Sequence, residues 1–171
     1  MNINVIFPII FAVSIVVFVA IARSKRVKKA NYDERQLLAR NTACKNSFFF
    51  LLIYCFTCGL LYLFDIHWAN TAIQMFLGVI LSFTLFIALC IIKDAYFSNS
   101  PKYNTYAVIF FFSYGVLSII YLLNGLGRGK TLMDNGVLSE LFLYLVSSVC
   151  FWILGIISVI KLFKEKRGAE K

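Results

Sequence analysis

The chain carries little that would keep it soluble or let it do chemistry in water. Among 171 residues there are eight Asp and Glu, one His and two Pro, and charged residues make up only 15%, against about 25% in an ordinary soluble domain. Five stretches hold no Asp, Glu, Lys, Arg or His at all: 3–22, 47–64, 71–92, 105–123 and 141–160. Proton and ion paths through a membrane are marked by ionisable groups inside spans, so coupled transport by a carboxylate relay is not expected. A single histidine leaves no His cluster, and Asp65, His67, Asp134 and Glu140 have no spacing that defines a metal site. No cofactor is implied.

What is abundant is apolar surface: 61% of the residues are hydrophobic and 17% aromatic. The five uncharged stretches are 18 to 22 residues long. A helix rises about 1.5 Å per residue and about 30 Å of hydrocarbon must be crossed, so each stretch is of spanning length. The predicted fold is all-α, an integral membrane bundle of five transmembrane helices forming one membrane domain over residues 1–171.

Charge sets the predicted orientation. Of 17 Lys and Arg residues, 15 fall in the segments that follow the first, third and fifth stretches, and only Arg128 and Lys130 fall on the other side. Basic loops stay cytoplasmic, which puts the N-terminus outside and the C-terminus inside a plasma membrane. The net charge of +9 then needs no nucleic-acid partner. Arg23, Lys25, Arg26, Lys28 and Lys29 form a juxtamembrane cluster expected to contact anionic lipid of the inner leaflet. Ala20 and Ala22 form an A-x-A pattern, but Met1 to Asn4 lack positive charge and five basic residues follow within seven positions, so the first stretch reads as a retained helix. All five cysteines lie in spans or on the predicted inner side, and no disulfide framework is implied.

Between the first two stretches, residues 31–46 read as a cytoplasmic helical segment. Asn31 is the expected N-cap, Asp33 and Glu34 suit the positive helix end, and the helix either runs straight into the second stretch or bends near Asn46 and Ser47. Residues 124–140 are Gly-rich with an Asn135-Gly136 turn and read as an exposed, flexible outer loop. Asn124-Gly-Leu-Gly-Arg-Gly-Lys130-Thr131 has the ending of a phosphate-binding loop, but Asn124 occupies the first Gly position and no buried strand precedes it. No internal repeat is visible, and five spans do not divide into two equal inverted halves.

Small and hydroxylated residues within spans are candidates for helix packing: Cys55 with Gly59, Gly78 with Ser82, then Ser148 and Gly155. Cys55-Phe-Thr-Cys58 is a C-x-x-C that would suit a membrane thiol oxidoreductase. Its electron relay, however, would need a second cysteine pair, and the predicted outer loops contain none.

Tyr32-Asp-Glu-Arg-Gln36, followed by Arg40 and Ala43 before the aromatic start of the second stretch, resembles small uncharacterised multi-span membrane proteins, mostly bacterial, that carry a D-E-R-Q-type segment on the cytoplasmic side of an early span. The likeness covers about 15 residues. It implies a membrane protein without an assigned reaction, accessory to a transporter or to a peptide-response system, with Asp33, Glu34, Arg35 and Arg40 as candidate partner-binding residues. The alternative is that Asp33 and Glu34 only cap a helix while Gln36 and Arg40 pair along it. Without a catalytic constellation, the expectation is a non-enzymatic binding protein of the plasma membrane, of accessory, regulatory or immunity type, with a membrane-protein partner or a second copy of itself. A small-solute transporter or channel built as an oligomer, and the Cys55 and Cys58 oxidoreductase, are the alternatives.

Overall fold

The computed structural model describes residues 33–96, 101–134 and 136–169. The first predicted span and the cluster Arg23, Lys25, Arg26, Lys28 and Lys29 lie outside them, as do Asn31 and Tyr32. Four helices follow one another: α1 (Glu34–Leu63), α2 (Thr71–Ile92), α3 (Pro101–Gly127) and α4 (Glu140–Ala169), with a two-stranded hairpin of β1 (Met133–Asp134) and β2 (Val137–Leu138) before α4. All four helices are long and apolar enough to cross a membrane.

α1 is the element whose extent most exceeds its apolar run. Its 30 residues form one uninterrupted helix about 45 Å long, so the segment before Ser47 runs straight into the apolar run without a bend. It begins at Glu34 with Asp33 in the N-cap position, and the Asp33 side chain makes no capping bond. α2 coincides with its uncharged stretch and is capped by the Asn70 side chain, which accepts from the Ala72 amide at 3.2 Å.

Three helices stop in the same way. Past α1 the amides of Asp65 and Ile66 bond to Tyr62 and Leu61, past α2 those of Asp94 and Ala95 bond to Ile91 and Cys90, and past α3 those of Gly129 and Lys130 bond to Leu126 and Gly125. The turning residue takes the left-handed conformation, with φ 56° at Asp65, 58° at Asp94 and 77° at Gly129. Glycine does this freely, and aspartate is among the few other residues that tolerate it. An aspartate at a helix C-terminus also faces the negative end of the helix dipole, a modest cost that a nearby cation offsets.

The packing order is α1–α2–α4–α3. Two clusters hold it. Ile87 and Ile91 of α2 meet Phe111 of α3 and Leu154 of α4 toward one end, and Ala69, Ile73 and Leu77 meet Tyr54, Phe142, Leu143 and Val146 toward the other. α2 buries 33% of its apolar window and α1 only 11%. Phe49, Ile53, Phe56 and Leu60 of α1 are exposed. Apolar surface of that extent is stable in lipid, not in water.

Candidate functional site

The helices alternate in direction, so two rims form, one at each end of the bundle. At the rim bearing most of the basic residues, α1, α2 and α4 are joined by side chains. Gln36 donates from Nε2 to the Asp94 carbonyl at 2.8 Å, and Lys161 of α4 pairs with the Asp94 carboxylate. The Lys161 side chain is 18% exposed and that of Asp94 63%. The pair places a cation beside the carboxylate at the end of α2. The Gln36 Oε1 is buried without a hydrogen-bond partner. Lys161 lies about 31 Å along α4 from Glu140, a length close to the thickness of bilayer hydrocarbon.

Beside this junction is an open groove of about 440 Å³ lined by Glu34, Arg35, Leu38, Ala39, Thr42 and Lys93. Two of the four candidate partner-binding residues, Glu34 and Arg35, therefore line one cavity. Asp33 is exposed at the helix start and Arg40 is half-buried further along α1. Gln36 reaches across to α2. Sequence reasoning passed over Asp94 and Lys161: a lone acid in a basic connection and a lysine at the end of a span carry no local sign that they meet.

The opposite rim is closed by backbone. The segment expected to be a flexible loop is instead helical to Gly127 and then folds into the hairpin, with Gly136 at φ 81°. β2 docks on the turn between α1 and α2: the Leu138 amide bonds to the Trp68 carbonyl at 2.9 Å, and Leu138 bridges Ala69. The Ser139 hydroxyl accepts from the Leu141 amide at 3.3 Å and donates to the Thr131 carbonyl at 2.5 Å, starting α4 and pinning the hairpin together. This is the ordinary way to satisfy backbone groups near a membrane, which explains why a Gly-rich segment is held rather than loose. The phosphate-loop-like ending is thereby divided between a helix terminus and a turn.

The packing candidates separate into two groups. A Cβ on Gly78 would stand 2.7 Å from the Tyr54 ring, and one on Gly155 3.0 Å from Phe112. Ser82 and Ser148 are buried; the Ser148 hydroxyl donates to the Gly115 carbonyl at 3.3 Å, while the Ser82 hydroxyl has no partner among the described residues. Tyr54 donates to the Gln74 carbonyl at 2.9 Å beside Gly78. Cys55 and Gly59 are different: Cys55 is exposed, and a Cβ on Gly59 meets nothing within 4 Å. Among the described residues this pair packs against no helix. All five cysteines are free thiols. Among the described residues no group of three or more His, Cys, Asp or Glu is placed to hold a metal ion.

No family model matches the chain, and neither a curated protein nor a solved structure matches it.

Proposed function

We propose that the chain is a multi-pass protein of the plasma membrane that acts by binding, as an accessory, regulatory or immunity-type protein whose basic rim receives a membrane-protein partner. In this reading residues 3–22 supply a fifth crossing and the basic rim faces the cytoplasm, as the distribution of Lys and Arg favours. The observation that carries it is the asymmetry between the rims. The outer end is closed by backbone bonds, whereas the inner end pairs Gln36, Asp94 and Lys161 and leaves Glu34 and Arg35 exposed on a groove. The likeness of residues 32–36 to the D-E-R-Q-type segment of other small membrane proteins points to the same place.

Photocrosslinkers at Leu38 and, as a control, at Met133 test the reading in native membranes. A discrete protein adduct is expected from Leu38, absent at Met133 and weakened by Glu34→Gln with Arg35→Gln. Adducts of lipid alone at both positions would contradict it.

A second reading is an oligomeric path for a small solute. It is favoured by Ser113, Tyr114 and Tyr121, which are exposed along α3 at one end of the packing order. Hydroxyls facing hydrocarbon are costly unless another helix or a solute meets them. Flux through proteoliposomes distinguishes it from the first reading.

A further inference from the structure

We propose that the groove between the start of α1 and the end of α2 binds the headgroup of an anionic phospholipid from the leaflet it faces, with the phosphodiester on Arg35 and Lys93. This goes beyond the partner reading and does not depend on it; it requires only that the helices cross a bilayer.

Position comes first. Lys93 directly follows α2 and Asp94 bonds to both Gln36 and Lys161, so the groove opens at the end of a 22-residue apolar helix, which is where a helix of that length emerges from about 30 Å of hydrocarbon. Lipid phosphates are concentrated at that depth. Arg35 and Lys93 are both exposed and take part in no ion pair among the described residues. Among the described residues no carboxylate is paired with either charge.

The lining also has the right order of polarity. A guanidinium matches a phosphodiester with two parallel hydrogen bonds, and an ammonium adds a point charge beside it. Glu34 in the same groove is an acceptor, suited to a hydroxyl of a glycerol headgroup. Arg35, Lys93 and Glu34 together leave one net positive charge, which one phosphodiester balances. Leu38 is 72% exposed and, with Ala39, offers an apolar wall to the glycerol backbone and the first acyl carbons. Thr42 donates its hydroxyl to the Leu38 carbonyl at 2.8 Å, so it adds no unmatched donor.

The asymmetry with the rest of α1 supports a lipid rather than a soluble ion. Gln36 to Lys45 covers about 13 Å of helix that runs alongside the inner part of α2, where Ala43 and Ser47 are buried. Asn41, Lys45 and Asn46 on this stretch are exposed. Polar side chains at that depth are tolerated when headgroups are drawn in toward them. A headgroup seated on Arg35 and Lys93 meets only the first turns of this stretch, as far as Thr42, which also lines the groove.

Native mass spectrometry of the detergent-solubilised full chain, titrated with phosphatidylglycerol or phosphatidylcholine, tests the proposal. One phosphatidylglycerol should be retained in preference to phosphatidylcholine. Arg35→Gln with Lys93→Gln should weaken it roughly thirtyfold, from two basic contacts near a lipid phosphate. Removing the same charge at the other rim, Arg128→Gln with Lys130→Gln, should leave binding within about twofold. Ala39→Trp fills the groove without altering charge and should also lower binding, which keeps the test valid if the inner double variant folds poorly. Equal losses in the two double variants, undiminished binding in Ala39→Trp, equal retention of phosphatidylcholine, or displacement of the lipid by inorganic phosphate would each overturn the assignment.

Discussion

The two rims of the bundle are closed by different kinds of bond. At one, the hairpin lies on the turn before α2 through the Leu138 amide and the Trp68 carbonyl, with the Ser139 hydroxyl and the packed Leu138 and Trp68 side chains beside that bond. At the other, closure is made by Gln36, Asp94 and Lys161, whose partners are lost one residue at a time. Backbone closure suits an end that stays shut. Side-chain closure beside an open groove suits an end where a headgroup or a protein can exchange with what is there. The difference is local, because the layer between the rims is packed without regard to either.

That middle layer sets the scale for the largest effect. Gly78→Val would drive a branched side chain into the Tyr54 ring, 2.7 Å from the added Cβ, and should cost about 1–3 kcal/mol by overpacking. Gly59→Val meets nothing within 4 Å among the described residues and should change stability by less than about 0.5 kcal/mol. Thermal unfolding in detergent reads both, and equal shifts would mean that α1 and α2 do not pack as described.

At the hairpin, Gly136→Val forces a branched residue to φ 81°, with an expected cost of about 1–2 kcal/mol. Hydrogen exchange should accelerate at the Leu138 amide while the amides of Ile87 and Ile91 keep their protection. Acceleration throughout would show that the hairpin is not a separate closure.

At the basic rim the effects are smaller. Asp94→Ala removes the carboxylate that Lys161 meets and places alanine at φ 58°. Together these should cost about 1 kcal/mol, the ion pair being discounted because Asp94 is largely exposed. Asp94→Gly relieves the backbone and should recover part of the loss. The Gln36 bond goes to the main-chain carbonyl and survives in both variants. If Asp94→Gly is no better than Asp94→Ala, the left-handed turn is not a source of strain.

The smallest effect belongs to Lys130 and Glu140, 3.9 Å apart with side chains 64% and 75% exposed. Lys130→Ala should alter the unfolding midpoint by an amount close to measurement error, because exposed pairs contribute about 0–1 kcal/mol. A larger loss would assign a role to side chains at the rim described as closed by backbone.

Much of the architecture is written in hydropathy, for a physical reason. In hydrocarbon every backbone amide and carbonyl must be paired, so an uncharged run of spanning length has helix as its only simple solution. α2, Thr71–Ile92, coincides with its run for this reason. The polar start of α1 is legible as a helix from its acidic first turn, but its cap falls on Asp33 rather than the expected Asn31. The choice of a straight run over a bend near Ser47 is seen only in the fold, where Ala43 and Ser47 are buried against neighbours. The packing order was not readable either: when all faces are apolar, no stripe points to a partner. Cys55 with Gly59 and Gly78 with Ser82 share one spacing, yet only the second pair meets another helix among the described residues. The groove was half legible. Glu34 and Arg35 stood out as charges at a helix start, while Lys93 and Asp94 join them only when the chain folds back, and Gln36 and Asp94 are 58 residues apart.

The most direct measurement is the side of the membrane on which each rim lies. In a chain with its native cysteines replaced, Lys130→Cys and Lys164→Cys are labelled in intact cells with a membrane-impermeant thiol reagent. Cytoplasmic placement of the basic rim predicts labelling of position 130 from outside and of position 164 only after permeabilisation. Labelling of 164 in intact cells, or of both positions equally, would contradict it.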